Sequence, residues 1–100
     1  MSGYIIDSMI ESIKHKGLRN FFEKGDSSKI SQSHTRRLQL ILTQLQAARD
    51  IRDMNFPGSN LHRLSGDKKN FWSESVSGNW RVIFRFEDGD AYDVDYLDYY

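Results

Sequence analysis

Two side chains in this 100-residue chain have the strongest chemical character for their setting, Arg81 and His62. Arg81 sits in Trp80-Arg81-Val82-Ile83-Phe84, a β-like run of large and branched residues. A permanently charged fork in mid-strand suits phosphate binding and stabilisation of an anionic transition state. The structural reading of the same residue is a cross-strand ion pair with Asp95. His62 precedes a short polar loop, where an imidazole can protonate a leaving oxygen or contact phosphate. A lone strand histidine is more often structural or simply exposed. Lys68 and Lys69, with Arg63 close in sequence, form a basic cluster able to steer phosphates, or a solvated loop. The chain ends Asp98-Tyr99-Tyr100. A tyrosine can transfer protons when nearby cations lower its pKa, and two terminal aromatics can also act as a hydrophobic clasp.

The elements that must hold these residues follow from periodicity. Residues 16–24 read as a helix, with Leu18, Phe21 and Phe22 at i, i+3, i+4 and Gly25 as its stop. A second helix, capped by Ser31 or Ser33, runs to Ala48 with Leu38, Ile41, Leu42, Leu45 and Ala48 on one face. Arg36, Arg37 and Gln39 fall mainly on its wet side. Residues 50–54 add a helical turn, and Pro57-Gly58 ends it. Residues 61–64, 71–76, 80–86 and 91–97 read as strands, and residues 9–13 as a further short one. Helices followed by strands indicate an α+β domain.

Register decides which strand face is wet. A three-residue loop with a bulge at Gly89 would pair Phe84 with Tyr92, Val82 with Val94, Trp80 with Tyr96, and Arg81 with Asp95. A two-residue Asp88-Gly89 loop would set Phe84 and Val82 against aspartates, a costly arrangement, so the first register is expected. A similar loop at 77–79 pairs Val76 with Trp80 and Trp72 with Phe84, bringing Ser73 and Ser75 to Arg81's face. Glu74 falls on the apolar side, opposite Val82, with no evident partner.

Lys/Arg and Asp/Glu balance at 14 each, which argues against bulk polyanion binding. The distribution is uneven: residues 1–60 carry nine basic and six acidic residues, and residues 61–100 carry five and eight. No cysteine is present, which excludes disulfides and thiolate metal sites. His15 and His34 show no metal-like spacing with His62, so no metal or other cofactor is expected. Apolar runs of two or three residues are far short of the roughly 20 needed for a membrane span. A cytoplasmic protein is therefore expected. Residues 1–8 lack periodicity and read as a leader or extension to a single domain of residues 9–100.

The motifs taken together resemble a known family. Ile13-Lys14-His15-Lys16-Gly17-Leu18, then Phe21-Phe22-Glu23-Lys24-Gly25, look like the opening of HigB-type toxins of the RelE superfamily. Leu61-His62-x-Leu64-x-Gly66-Asp67, Trp72-Ser73, Asn79-Trp80-Arg81-Val82-Ile83-Phe84, Asp88-Gly89-Asp90-Ala91-Tyr92 and Asp98-Tyr99 match the remainder in order. The resemblance implies a microbial-ribonuclease-like α+β fold with N-terminal helices on a small antiparallel sheet. It implies a metal-independent endoribonuclease that cuts mRNA in the A site of a translating ribosome by attack of the substrate's own 2′-OH. It implies a HigA-type helix-turn-helix antitoxin as partner, with operator DNA reached through that antitoxin. By matching position, His62 and Arg81 are implied as active-site residues, with Asp98 and Tyr99 shaping the site; Lys68 and Lys69 are expected beside them, on their charge alone, as supports for RNA. The family's usual lysine is Ser65 here, and its usual terminal catalytic histidine is Tyr100, which relatives with a C-terminal tyrosine suggest as a substitute. The second reading is a catalytically weakened homologue that serves as antitoxin-binding partner and co-repressor; a third is a general RNA-binding module.

Overall fold

A computed structural model describes residues 10–98; the leader assignment for residues 1–8 and the expectations for Tyr99 and Tyr100 lie outside the described residues. Helix α1 (Lys16–Lys24) begins where the His15 Nδ1 accepts the Leu18 N–H at 3.0 Å, and ends at Gly25, whose φ is 72°. Its first turn needs a glycine: a Cβ on Gly17 would lie 2.6 Å from the Lys29 Cβ and 3.0 Å from the Lys29 carbonyl oxygen. A 3-10 turn (Gln32–His34) leads into helix α2 (Thr35–Ala47), so the expected serine cap falls on Ser31, one turn before the helix proper. Ser31 makes no side-chain cap; its hydroxyl instead lies 3.0 Å from that of Ser33. A second 3-10 turn (Ile51–Met54) is closed by a capping box between Asp50 and Asp53.

Four strands follow, β1 (His62–Arg63), β2 (Phe71–Ser77), β3 (Trp80–Glu87) and β4 (Asp90–Asp98). They pair in sequence order as an antiparallel meander. Residues 10–14 run beside β4 as a parallel fragment: Ile10 bridges Ala91 and Ile13 bridges Val94, with Glu11 and Lys14 N–H groups each 2.7 Å from β4 carbonyls.

The helices cover one sheet face. Leu18, Leu38, Ile41, Leu42 and Leu45 pack with Val82, Phe84, Ala91, Val94 and Tyr96, all buried. Trp72 and Trp80 lie at the margin of this core, half-buried. His34 is buried within it, its Nδ1 2.6 Å from the Tyr96 hydroxyl, with its ring edge against Trp80. Arg37 does not sit on a wet helix face. Its guanidinium lies over the Phe56 ring at 5.6 Å and donates to the carbonyls of Ser75 and Gly58, tying α2 to β2.

The β2–β3 register is as expected from Trp72↔Phe84 through Ser75↔Arg81, including Glu74↔Val82. It then shifts, so that Ser77 rather than Val76 faces Trp80, with Val76 as the extra residue of a bulge. The β3–β4 register differs from expectation. The turn is the two-residue Asp88-Gly89 form, with φ of 52° and 86°. The cost of aspartates on the apolar face is avoided by a bulge farther along, where Asp93 takes a φ of 53°. Below it Arg85 pairs with Tyr92 and Phe86 with Ala91; above it Ile83 pairs with Asp95, Val82 with Tyr96 and Arg81 with Leu97. Ala91, Val94 and Tyr96 thereby all face the core, at spacings of three and then two.

Candidate active site

The sheet face away from the helices carries Arg81 and His62. Paired residues share a face, so His62, Ser73, Ile83 and Asp95 form one row across the four strands, with Ser75, Arg81 and Leu97 in the next row. Strand geometry puts the Cα atoms of His62 and Arg81 about 12 Å apart, two strands over and one row along. Ile83 is 2% exposed yet stands outside the helix-side core, forming an apolar centre for this face.

The Arg81 Nη1 donates to the Ser75 hydroxyl at 2.8 Å and, more loosely, to the Gly78 carbonyl at 3.4 Å. The expected ion pair with Asp95 does not form. The two-residue turn and the Asp93 bulge together shift Asp95 two residues along, opposite Ile83, and its carboxylate accepts the Tyr96 N–H at 2.9 Å instead. Among the described residues Arg81 has no carboxylate partner. The neighbouring strand arginine, Arg85, is fully engaged: it bridges Glu87 at 2.9 Å and Asp93 at 3.1 Å. Those carboxylates hold its guanidinium further above its usual range.

His62 is exposed, its Nδ1 3.1 Å from the Asn60 carbonyl oxygen. That contact orients the ring with Nδ1–H as donor and leaves Nε2 open. Lys68 lies in a 3-10 turn (Gly66–Lys68) and stands over the Phe71 ring at 5.2 Å. It lines a cleft of about 280 Å³ on this face, together with Lys14, Phe71, Ile83, Asp93 and Asp95. Lys14 is a cation that the reading of chemistry-bearing residues missed. It belongs to the opening motif, but its arrival beside Ile83 depends on the parallel fragment crossing to β4. Lys69 is exposed at the rim. Arg63, expected with these lysines, turns to the opposite face with Trp72. Ser65, where a lysine was expected by resemblance, is exposed at the start of the 3-10 turn. Asp98 pairs with Trp80, a row that alternates with Arg81's. Among the described residues no cluster of three or more potential metal ligands exists, and no helix is long and apolar enough to cross a membrane.

On the covered face, Glu74 is fully buried beside Val82, and neither carboxylate oxygen has a hydrogen-bond partner among the described residues. Burial pushes its pKa up to about 8, against a smaller opposing pull from Arg37. Glu74 is therefore mainly protonated at pH 7, which is how a carboxyl is tolerated in an apolar core.

Comparison with known proteins places this architecture. Residues 11–100 match the model of the family described as RelE-like toxin of type II toxin–antitoxin system HigB. A relative from Proteus vulgaris, named Endoribonuclease HigB, is 41% identical over 92 residues, covering 92% of this chain and all of that protein. Matched by this family model over residues 11–100 and by that relative over most of its length, and built of two helices on one side of a four-stranded antiparallel sheet, the chain belongs to the HigB-like family of RelE-type toxins, the toxic partners of antitoxins in type II systems.

Proposed function

We propose that this toxin is an endoribonuclease that cleaves mRNA in the A site of translating ribosomes in the cytoplasm, and that a HigA-type antitoxin restrains it. The observation that carries the reading is Arg81: a guanidinium on the open sheet face, held by a hydroxyl and a carbonyl, with no carboxylate partner among the described residues. A cation held this way is poised for an anionic ligand.

The substrate's 2′-oxygen attacks the adjacent phosphorus and the bond to the 5′-oxygen breaks, leaving a 2′,3′-cyclic phosphate and a 5′-hydroxyl. Negative charge accumulates on the non-bridging oxygens, where Arg81 stabilises it. His62, as the imidazolium with its Nδ1–H held by the Asn60 carbonyl, donates the Nε2 proton to the departing 5′-oxygen. Tyr100 takes the place of the terminal histidine in handling the 2′-OH proton; Asp98, at the end of β4 in the row alternating with Arg81's, and Tyr99 serve as supporting residues. Lys14 and Lys68 hold the flanking phosphates, and so supply the charge that Ser65 does not. The requirements of the reaction as written, an acid, a base and a cation, are met by side chains.

The test is to induce the wild-type protein and Arg81→Ala in cells and to map mRNA 5′ ends during growth arrest. Ribosome-phased cuts that vanish in Arg81→Ala are expected. Intact mRNA and normal growth with the wild type would overturn the proposal and favour a co-repressing homologue.

A further inference from the structure

A second cleft, of about 390 Å³, opens on the other side of β2, at the end of the sheet where the β3–β4 turn meets the second 3-10 turn. Arg49, Arg63, Asn70, Trp72, Phe86 and Asp88 line it. Arg63 is exposed and its guanidinium lies over the Trp72 ring, 5.5 Å from the ring centroid, with Nε donating to the Lys69 carbonyl at 3.0 Å. The exposed guanidinium keeps surface free for a further contact. Arg49 is exposed, and neither it nor Arg63 forms an ion pair among the described residues. The other two carboxylates of the cleft are already engaged, Asp50 with Arg52 at 2.9 Å and Glu87 with Arg85 at 2.9 Å. Asp88 stays unpaired among the described residues.

We propose that this cleft binds one nucleotide of single-stranded RNA outside the cleavage site. Its base stacks on Arg63 to extend the Trp72–Arg63 pair, its phosphate meets Arg49, and Asp88 accepts from the base's N–H donors. Guanidinium planes and aromatic rings are the surfaces on which unstacked RNA bases settle. An acidic peptide fits less well, because its carboxylate side chains offer Arg63 and Trp72 no flat ring to stack on. Continuity with the open face supports the same polymer. Phe71 and Trp72 are successive residues of β2 and point to opposite faces, so the Lys68–Phe71 cleft and this one lie back to back. Exposed Lys69 stands on the loop between them, bonded through its carbonyl to Arg63. The identity of the polymer rests on the endoribonuclease reading; the site itself rests on these contacts.

Trp72 is one of two tryptophans, so Trp80→Phe makes it the sole indole reporter. The probe is a short single-stranded RNA with 2′-O-methyl groups, which cannot be cleaved by its own 2′-oxygen. Titration is expected to change Trp72 fluorescence saturably, to weaken about tenfold or more in Arg49→Glu/Arg63→Glu, and to persist in Arg81→Ala. If Trp80→Phe does not fold, the Trp72 indole N–H resonance of the wild type gives the same readout. No response, an unchanged response in the double variant, or a response lost in Arg81→Ala would overturn the proposal. An equal response to polyglutamate would also overturn it, in favour of an acidic protein partner. Failure of the cleavage proposal is read separately, from mRNA ends in cells, and leaves this measurement interpretable.

Discussion

The two faces of one short sheet treat charge in opposite ways. Ser75 and Glu74 are neighbours on β2, and their partners Arg81 and Val82 are neighbours on β3. On the open face Arg81 keeps its charge, half-buried, with neutral oxygens for company. On the helix-covered face Glu74 gives its charge up, because both oxygens lack a partner among the described residues and water does not reach them. The difference lies in solvent access. The guanidinium cannot lose its proton and needs polar surroundings, whereas a carboxyl can neutralise at the cost of its acidity.

Substitutions on either face put that contrast to the test. The largest effect is expected from Arg81→Ala, about a 10²- to 10³-fold loss of cleavage rate, typical of removing one stabiliser of a transition-state anion. The measurement is mRNA 5′-end accumulation per unit of toxin, and a variant as active as wild type would place the cation's work elsewhere. Next comes the pH dependence set by Glu74. Its folded pKa of about 8 lies above its ordinary 4.5, so the folded state binds the proton more tightly. Stability from this group is present in full below about pH 4.5 and falls as pH rises towards 8. Between pH 5 and 8 the loss is about 3.5 kcal/mol at most, and Glu74→Gln should flatten it in urea-unfolding curves. A Glu74→Gln protein with the wild-type pH slope would mean that another group titrates.

Gly17→Ala should cost about 2 kcal/mol, because the added methyl meets the Lys29 Cβ at 2.6 Å and the backbone around it must shift. The check is the denaturant midpoint at an unchanged slope. Tyr96→Phe, which removes the 2.6 Å contact to His34, should cost about 1 kcal/mol and leave cleavage intact, since it lies on the covered face. Lost cleavage in a folded Tyr96→Phe protein would blur the division between the faces.

Much of this was legible from residue patterns, because the patterns are local. The bounds of α1, the stripe on α2 and the β2–β3 register through Arg81 follow from short-range periodicity and one turn. The β4 register was not, because the Asp93 bulge is a single left-handed residue whose benefit appears once the core is assembled. A trace of it was present all the same: Ala91, Val94 and Tyr96 cannot share one face of an unbroken strand. Arg81 and His62, joined in the sequence as active-site residues, share one sheet face, while Arg63 lies close to Lys68 in sequence and is separated from it by the pleat. The depth of Glu74's burial and the arrival of Lys14 in the cleft both depend on distant segments. No local pattern encodes either one.

The parallel fragment beside β4 also bears on how the molecule behaves in a crowd. Strands with free edges invite other chains to add on. Here Glu11 and Lys14 already occupy carbonyls of β4, and β1 at the opposite side is two residues long. With one border shielded by its own chain and the other too short to template a newcomer, the sheet resists end-to-end polymerisation, so a freed toxin molecule stays available to its target.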